Sequence, residues 1–148
     1  MQSTRGNSAE KVRAVAAGEG FRIADKRLEA FFESAADGIV FTDTQGTILT
    51  INKVGLRMLG YHKSEVTGKN GLSFFARCSW ITALRARRKT LKEGFAKDVE
   101  LVLRTNVGRQ VPVSIDLKIL KGAKGQPIGF AGIVRPGCLS AAEELPTQ

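Results

Sequence analysis

The residue types that could do chemistry are few, and their spacing argues against most of it. The chain has one histidine, His62, in the stretch Gly60-Tyr61-His62-Lys63-Ser64-Glu65. A nucleophilic triad needs an imidazole held beside a hydroxyl or thiol. His62 instead stands between a helix end and a capped turn, an exposed loop position. Cys78 and Cys138 are far apart and form no CxxC pair. Two unpaired thiols are expected, rather than a disulfide framework or a zinc site. No GxxxxGK[ST] phosphate loop is present. The glycines of "GAKGQPIG", Gly122 to Gly129, lie between strands with no helix following, so they lack the amides that cradle a phosphate. Asp116 falls on the polar side of a strand. This inventory points to a protein that is not an enzyme.

The one electrostatic feature is "RARRKTLK", Arg85 to Lys92, in a chain of formal charge +9. Such a run is mostly a solvated helix face. A nucleic-acid reading needs a recognition motif, and neither a helix-turn-helix nor an aromatic-interleaved surface is evident. Contact with an acidic partner protein is the intermediate option.

Length and composition set the frame. The 148 residues, 43% hydrophobic and 25% charged, suit one globular domain with a real core. No apolar run approaches the roughly 20 residues a bilayer span needs. The N-terminal "MQSTRGNSAEKVRAV" has no signal-peptide core. A cytoplasmic protein with no membrane contact is expected.

The elements that must position any site follow from pattern. "SAEKVRAVAA", Ser8 to Ala17, predicts a short helix capped by Ser8 and ended by Gly18 and Gly20. "DKRLEAFFESAA" predicts a second, capped by Asp25, with Leu28, Phe31 and Phe32 at helical spacing. Ile39 to Thr42 and Thr47 to Ile51 read as strands joined at Thr44-Gln45-Gly46. Asn52 stands where an N-cap belongs, ahead of the helical "KVGLRMLGY". Short helical turns are expected at "KSEVTG", opened by Ser64, and at "NGLSFF". The longest helix is "SWITALRARRKTLKEG", with Ser79 as cap and Gly94 as stop. There Ile81, Leu84, Leu91 and Phe95 share one face, and Arg85, Arg88 and Lys92 a neighbouring one. In "VPVSIDLKI", Val111, Val113, Ile115, Leu117 and Ile119 alternate with polar partners and proline, the mark of a strand with one buried face. "KDVELVLR" precedes it and "PIGFAGIV" follows it across short turns, so the three form an antiparallel meander. A lone hairpin is unstable in water. The first hairpin therefore joins the meander in one sheet, helices covering a face: an α+β layer.

Four segments in this order, "DGIVFTDTQGTILTIN", "LGYHKSEVTGKN", "GRQVPVSIDL" and "GQPIGFAGIVR", resemble a PAS domain, the sensor module of many bacterial signalling proteins. The resemblance spans about Leu28 to Arg135. It implies a five-stranded antiparallel sheet cupping short helices, with a cavity between that can hold a ligand or cofactor. Asn52 matches the family's Asn at the strand–helix junction, and Asp43 and Gly46 match a turn. Capping and turn chemistry account for all three without a ligand. Haem-binding members supply a His from the long helix, and Ser79 to Gly94 contains none. Flavin-photosensing members carry a Cys in a motif like "GRNCRFLQ", where this chain has "GKNGLSFFA" with Gly71 in place of the Cys. Trp80 sits near the implied cavity mouth, where some flavin-binding members have a Trp. Forward-signalling members often end in an Asp-x-Thr motif, and here Pro136-Gly137 stands there and breaks a continuing helix.

The expected layout is a helical or flexible extension over 1–24, a PAS-like sensor domain over 25–136 and a flexible tail over 137–148. The expected function is a non-catalytic sensor or interaction module in bacterial signal transduction. It binds a small apolar ligand or forms a homodimer, and a signalling protein is a possible further partner. Direct nucleic-acid binding is not favoured. The alternatives are a flavin- or haem-binding redox or oxygen sensor, neither cofactor being favoured, and a pure dimerisation module of a transcriptional regulator or kinase. The cavity candidates are Asn52, Phe74, Trp80, Leu84, Val99, Leu101, Val113, Ile115 and Phe130. Val15, Phe21, Leu28, Phe31 and Phe32 are the dimer-interface candidates, with Val12 as an extension.

Overall fold

A computed structural model describes residues 14–16, 20–21 and 23–137. Strands β1 (Ala14–Ala16) and β2 (Gly20–Phe21) pair antiparallel. This corrects the helix expected over Ser8 to Ala17. β-branched Val15 and two nearby glycines weaken a helix here; the remainder of that segment, Val12 included, lies outside the described residues.

Helix α1 (Lys26–Ser34) is capped by Asp25, whose carboxylate accepts from the Arg27 and Leu28 N–H groups. Strands β3 (Gly38–Thr42) and β4 (Ile48–Ile51) form the expected hairpin. Asp43 organises its turn by accepting from Gln45 N and Thr47 N, and Gly46 supplies the φ of 87° that a side chain would resist. Helix α2 (Lys53–Leu59) starts at Asn52. Helix α3 (Lys63–Val66) is capped by His62 rather than opened by Ser64, because the Glu65 carboxylate reaches back to the His62 N–H and leaves Ser64 inside the first turn. Two 3-10 turns, Gly71–Phe74 and Arg77–Ser79, lead into α4 (Trp80–Glu93). Gly94 ends α4 at φ 93°. The meander β5 (Phe95–Arg104), β6 (Gln110–Lys121) and β7 (Pro127–Pro136) completes the chain.

The main sheet is five-stranded and antiparallel in the order β4-β3-β7-β6-β5, as expected. Its inner face carries Leu101, Leu103, Val113 and Ile115 into one core with Ile48, Ile51, Leu59, Val66 and Phe74. On the outer face Phe32 of α1 stacks on Phe41, ring centroids 5.3 Å apart. Ile23, Leu28, Ile39 and Leu120 complete that smaller cluster.

Two local features depart from simple periodicity. Ile81, Leu84, Leu91 and Phe95 are exposed, and α4 turns Ala83, Ala86 and Thr90 toward the sheet instead. Two tethers fix its rotation. Ser79 Oγ accepts from Val102 N of β5 rather than capping its own helix, and the Arg87 guanidinium donates to the Thr44 carbonyl. In β5, a bulge between Ala96 and Val99 places Asp98 at φ 53°. The Asp116 carboxylate accepts from the Asp98 N–H at 2.8 Å and meets Arg135 Nη2 at 3.0 Å. Bonding to Arg135, then to the Asp98 amide, holds the Asp116 carboxyl below its usual value despite partial burial.

Candidate functional site

The inward residues of α4 are too short to fill the space over the sheet. Ala83 and Ala86 of α4, Ile115 and Leu117 of β6 and Gly132 of β7 all line a cavity of about 360 Å³. Native interiors rarely leave voids larger than a water molecule, so a hole of this size is a feature to be explained by use. Its deep wall is apolar: Val40, Ile48, Ile51, Met58, Leu59, Phe74, Val99, Leu101 and Phe130. Its polar members are Thr42, Gln45, Asn70 and Arg87. The last three gather at one end, because Asn70 Nδ2 donates to the Gln45 carbonyl and Arg87 reaches Thr44 next to it. Gln45, Asn70 and Leu84 are exposed, which makes this end the rim.

Six of the residues singled out from sequence lie in the wall: Phe74, Leu84, Val99, Leu101, Ile115 and Phe130. Three do not. Val113 is fully buried in the same core cluster but is not part of the wall. Trp80 lies outside the wall, its indole N–H donating to the Phe75 carbonyl and Arg77 stacked 5.6 Å from its ring. Asn52 is fully buried between two wall residues, Ile51 and Gly55, with every polar atom of its side chain engaged. Its Oδ1 accepts from Ile39 N and Gly55 N, and its Nδ2 donates to the carbonyls of Phe32 and Asp37. It is a junction, not a contact surface. Gly38 and Gly55 make that junction possible, since a Cβ on Gly38 would stand 3.1 Å from the Gly55 Cα.

Sequence reasoning passed over Arg87, taking it as part of a solvated run. The signal was its helical offset: four residues after Ala83, it lies on the small-residue side and not with Arg85, Arg88 and Lys92. It is half-buried, and among the described residues no carboxylate pairs with it. His62 and Cys78 are exposed and neither belongs to the wall.

Of the interface candidates, Phe32 is buried and Leu28 is half-buried against it, while Phe31 is 64% exposed. The side chains of Val15 and Phe21 lie outside the described residues. Among the described residues, no helix is long and apolar enough to cross a membrane.

A family profile described as a PAS domain matches residues 36–135. No curated protein matches the chain. Among solved structures, a PAS domain of a Colwellia psychrerythraea protein is 22% identical with a TM-score of 0.70, over 76% of this chain and 95% of that one. The PAS domain of an HTR-like protein from Haloarcula marismortui is 28% identical with a TM-score of 0.59, over 76% and 90%. A domain of a sensory box sensor histidine kinase/response regulator from Geobacter sulfurreducens is 24% identical with a TM-score of 0.61, over 74% and 91%.

Proposed function

The chain belongs to the PAS domain family, and from that premise we propose that it is a non-catalytic sensor module of signal transduction that binds a small, largely apolar ligand between sheet and α4. The observation that carries this reading is the cavity of about 360 Å³ with its apolar wall. A filled core would be the stabler solution for a protein that only needed to fold. The histidine kinase context of one structural neighbour supports the signalling role.

Dimerisation is the proposed means of output. Phe31 stands exposed beside buried Phe32, and neighbouring residues on a helix point about 100° apart. A second copy related by a two-fold axis would cover it, the commonest geometry of a homodimer.

The cavity reading is tested by calorimetric titration of the full chain with indole, an apolar ring small enough for this volume. Saturable 1:1 binding that Leu101→Trp abolishes is expected; no binding, or binding that Leu101→Trp leaves intact, would overturn it. Light scattering tests the dimer. The full chain should be a dimer at micromolar concentration and Phe31→Glu a monomer. A monomeric full chain removes the idea.

A further inference from the structure

We infer that the ligand is an amphiphilic monocarboxylate: a short acyl chain or single ring seated on the apolar wall, its carboxylate at the rim beside Arg87. The inference rests on the cavity reading above and adds the head group to it.

The argument begins with what Arg87 leaves unused. A guanidinium has five N–H donors in a planar fork. Here the Thr44 carbonyl accepts from Nε at 3.2 Å and Nη2 at 2.6 Å, and Nη1 has no partner among the described residues. The Thr44 carbonyl is the one acceptor that the described residues offer this half-buried charge, so part of the fork stays free to meet a ligand. The same side chain forms part of the cavity wall, whose other surface is almost wholly apolar. A cation at the edge of an apolar hole selects a molecule with the matching division: an apolar body and one negative end. The fork geometry favours a carboxylate, which guanidinium groups hold through paired hydrogen bonds.

The surroundings agree on where that end lies. Gln45 and Asn70 share the rim with Arg87, and Asn70 Oδ1 already accepts from Leu72 N while its Nδ2 serves the Gln45 carbonyl. The Gln45 side chain makes no hydrogen bond among the described residues, so it can serve as a second donor for the same head group. Among the described residues, no acidic side chain belongs to the wall. Volume sets the size. At about 30 Å³ per non-hydrogen atom, the share one water takes in the liquid, the cavity holds roughly a dozen atoms. An eight-carbon acid, with ten such atoms, fits.

The test compares octanoate with 1-octanol, which share a chain and differ in charge, by calorimetric titration into the full-length protein. Octanoate should bind about tenfold tighter, the lower end of what a hydrogen bond to a charged group provides. Arg87→Gln should abolish that preference by weakening octanoate more than octanol, octanol serving as the reference for any loss of the Thr44 tie. Arg85→Gln, on the exposed side of the same helix, should change neither and so controls for the general positive charge. Equal affinities in the unmutated protein would overturn the head-group assignment while retaining the cavity. So would an Arg87→Gln variant that weakens both probes alike, since that marks Arg87 as a purely structural tie to Thr44. If neither probe binds the unmutated protein, the cavity reading itself falls.

Discussion

Replacing Asn52 with alanine should cost about 3–5 kcal/mol, and the value can be built from its four partners. The N-cap bond to Gly55 N contributes about 1 kcal/mol. Leaving Ile39 N without an acceptor at a part-buried site costs about 1–3 kcal/mol. The carbonyls of Phe32 and Asp37 lose one donor each, a smaller penalty because a carbonyl with one unmet lone pair is better tolerated than an orphaned N–H. Against a stability of about 5–15 kcal/mol, this is a large fraction, read as a fall in urea midpoint at constant slope. Asn52→Asp is the sharper comparison. It keeps the shape and both acceptances but turns an oxygen toward the two carbonyls that Nδ2 now serves at 2.8 and 3.1 Å. The variant should be at least as destabilised as the alanine at pH 7. A carboxylate buried against carbonyls has its folded-state pKa raised. The penalty is therefore full above that raised value and shrinks as the pH falls toward the unfolded value, where the protonated acid donates again. A cost below about 1 kcal/mol for Asn52→Ala, or an aspartate as stable as asparagine at pH 7, would refute the reasoning.

Other outcomes follow from the same geometry. Ala83→Leu should fill the cavity from α4, abolishing indole binding in calorimetric titration while stability stays equal or rises. Ile115→Ala should cost about 2–5 kcal/mol and Lys118→Ala under about 0.5 kcal/mol in urea, and equal costs would mean that strand β6 faces the other way. Asp116 has a lowered carboxyl pKa when folded, so its contribution is present above the unfolded value of about 3.9 and is lost as the pH falls through the folded one. Asp116→Asn should therefore lower the urea midpoint at pH 7 and remove part of its decline on acidification.

The strands and turns were legible because their signals are local. Alternation from Val111 to Ile119 fixes which side of β6 is buried, and Asp43 and Gly46 specify a turn by their own chemistry. What stayed hidden depends on partners far along the chain. Helix α4 offers two faces that could be buried, and periodicity favours the bulkier one, Ile81, Leu84 and Leu91. Its rotation is decided by Ser79 meeting Val102 and Arg87 meeting Thr44, pairings that no local pattern announces. In β5, unbroken alternation would put Phe95 with Val99 and Leu101. The extra residue of the bulge resets the phase, and Ala96 goes inward in its place. Asn52 was legible as a cap but not as the hub for residues 13, 15 and 20 positions away.

The strand order has a consequence in time. Strand β3 has two neighbours: β4, which follows it at once, and β7, which ends the domain, with Gly38 opposite Val134. The ribosome adds about 5–20 residues per second, so the first hairpin emerges several seconds before its second neighbour exists. Until then Ile39, Val40 and Phe41 have an open edge on one side, which is the aggregation-prone arrangement. The meander of β5, β6 and β7 has no such wait, since each strand pairs with the next in sequence. Low sequence separation makes it the faster unit to form, and the hairpin then docks onto it. Nascent chains stalled just before Pro127 should accordingly remain protease-sensitive through β3, and those released past Gly137 should not.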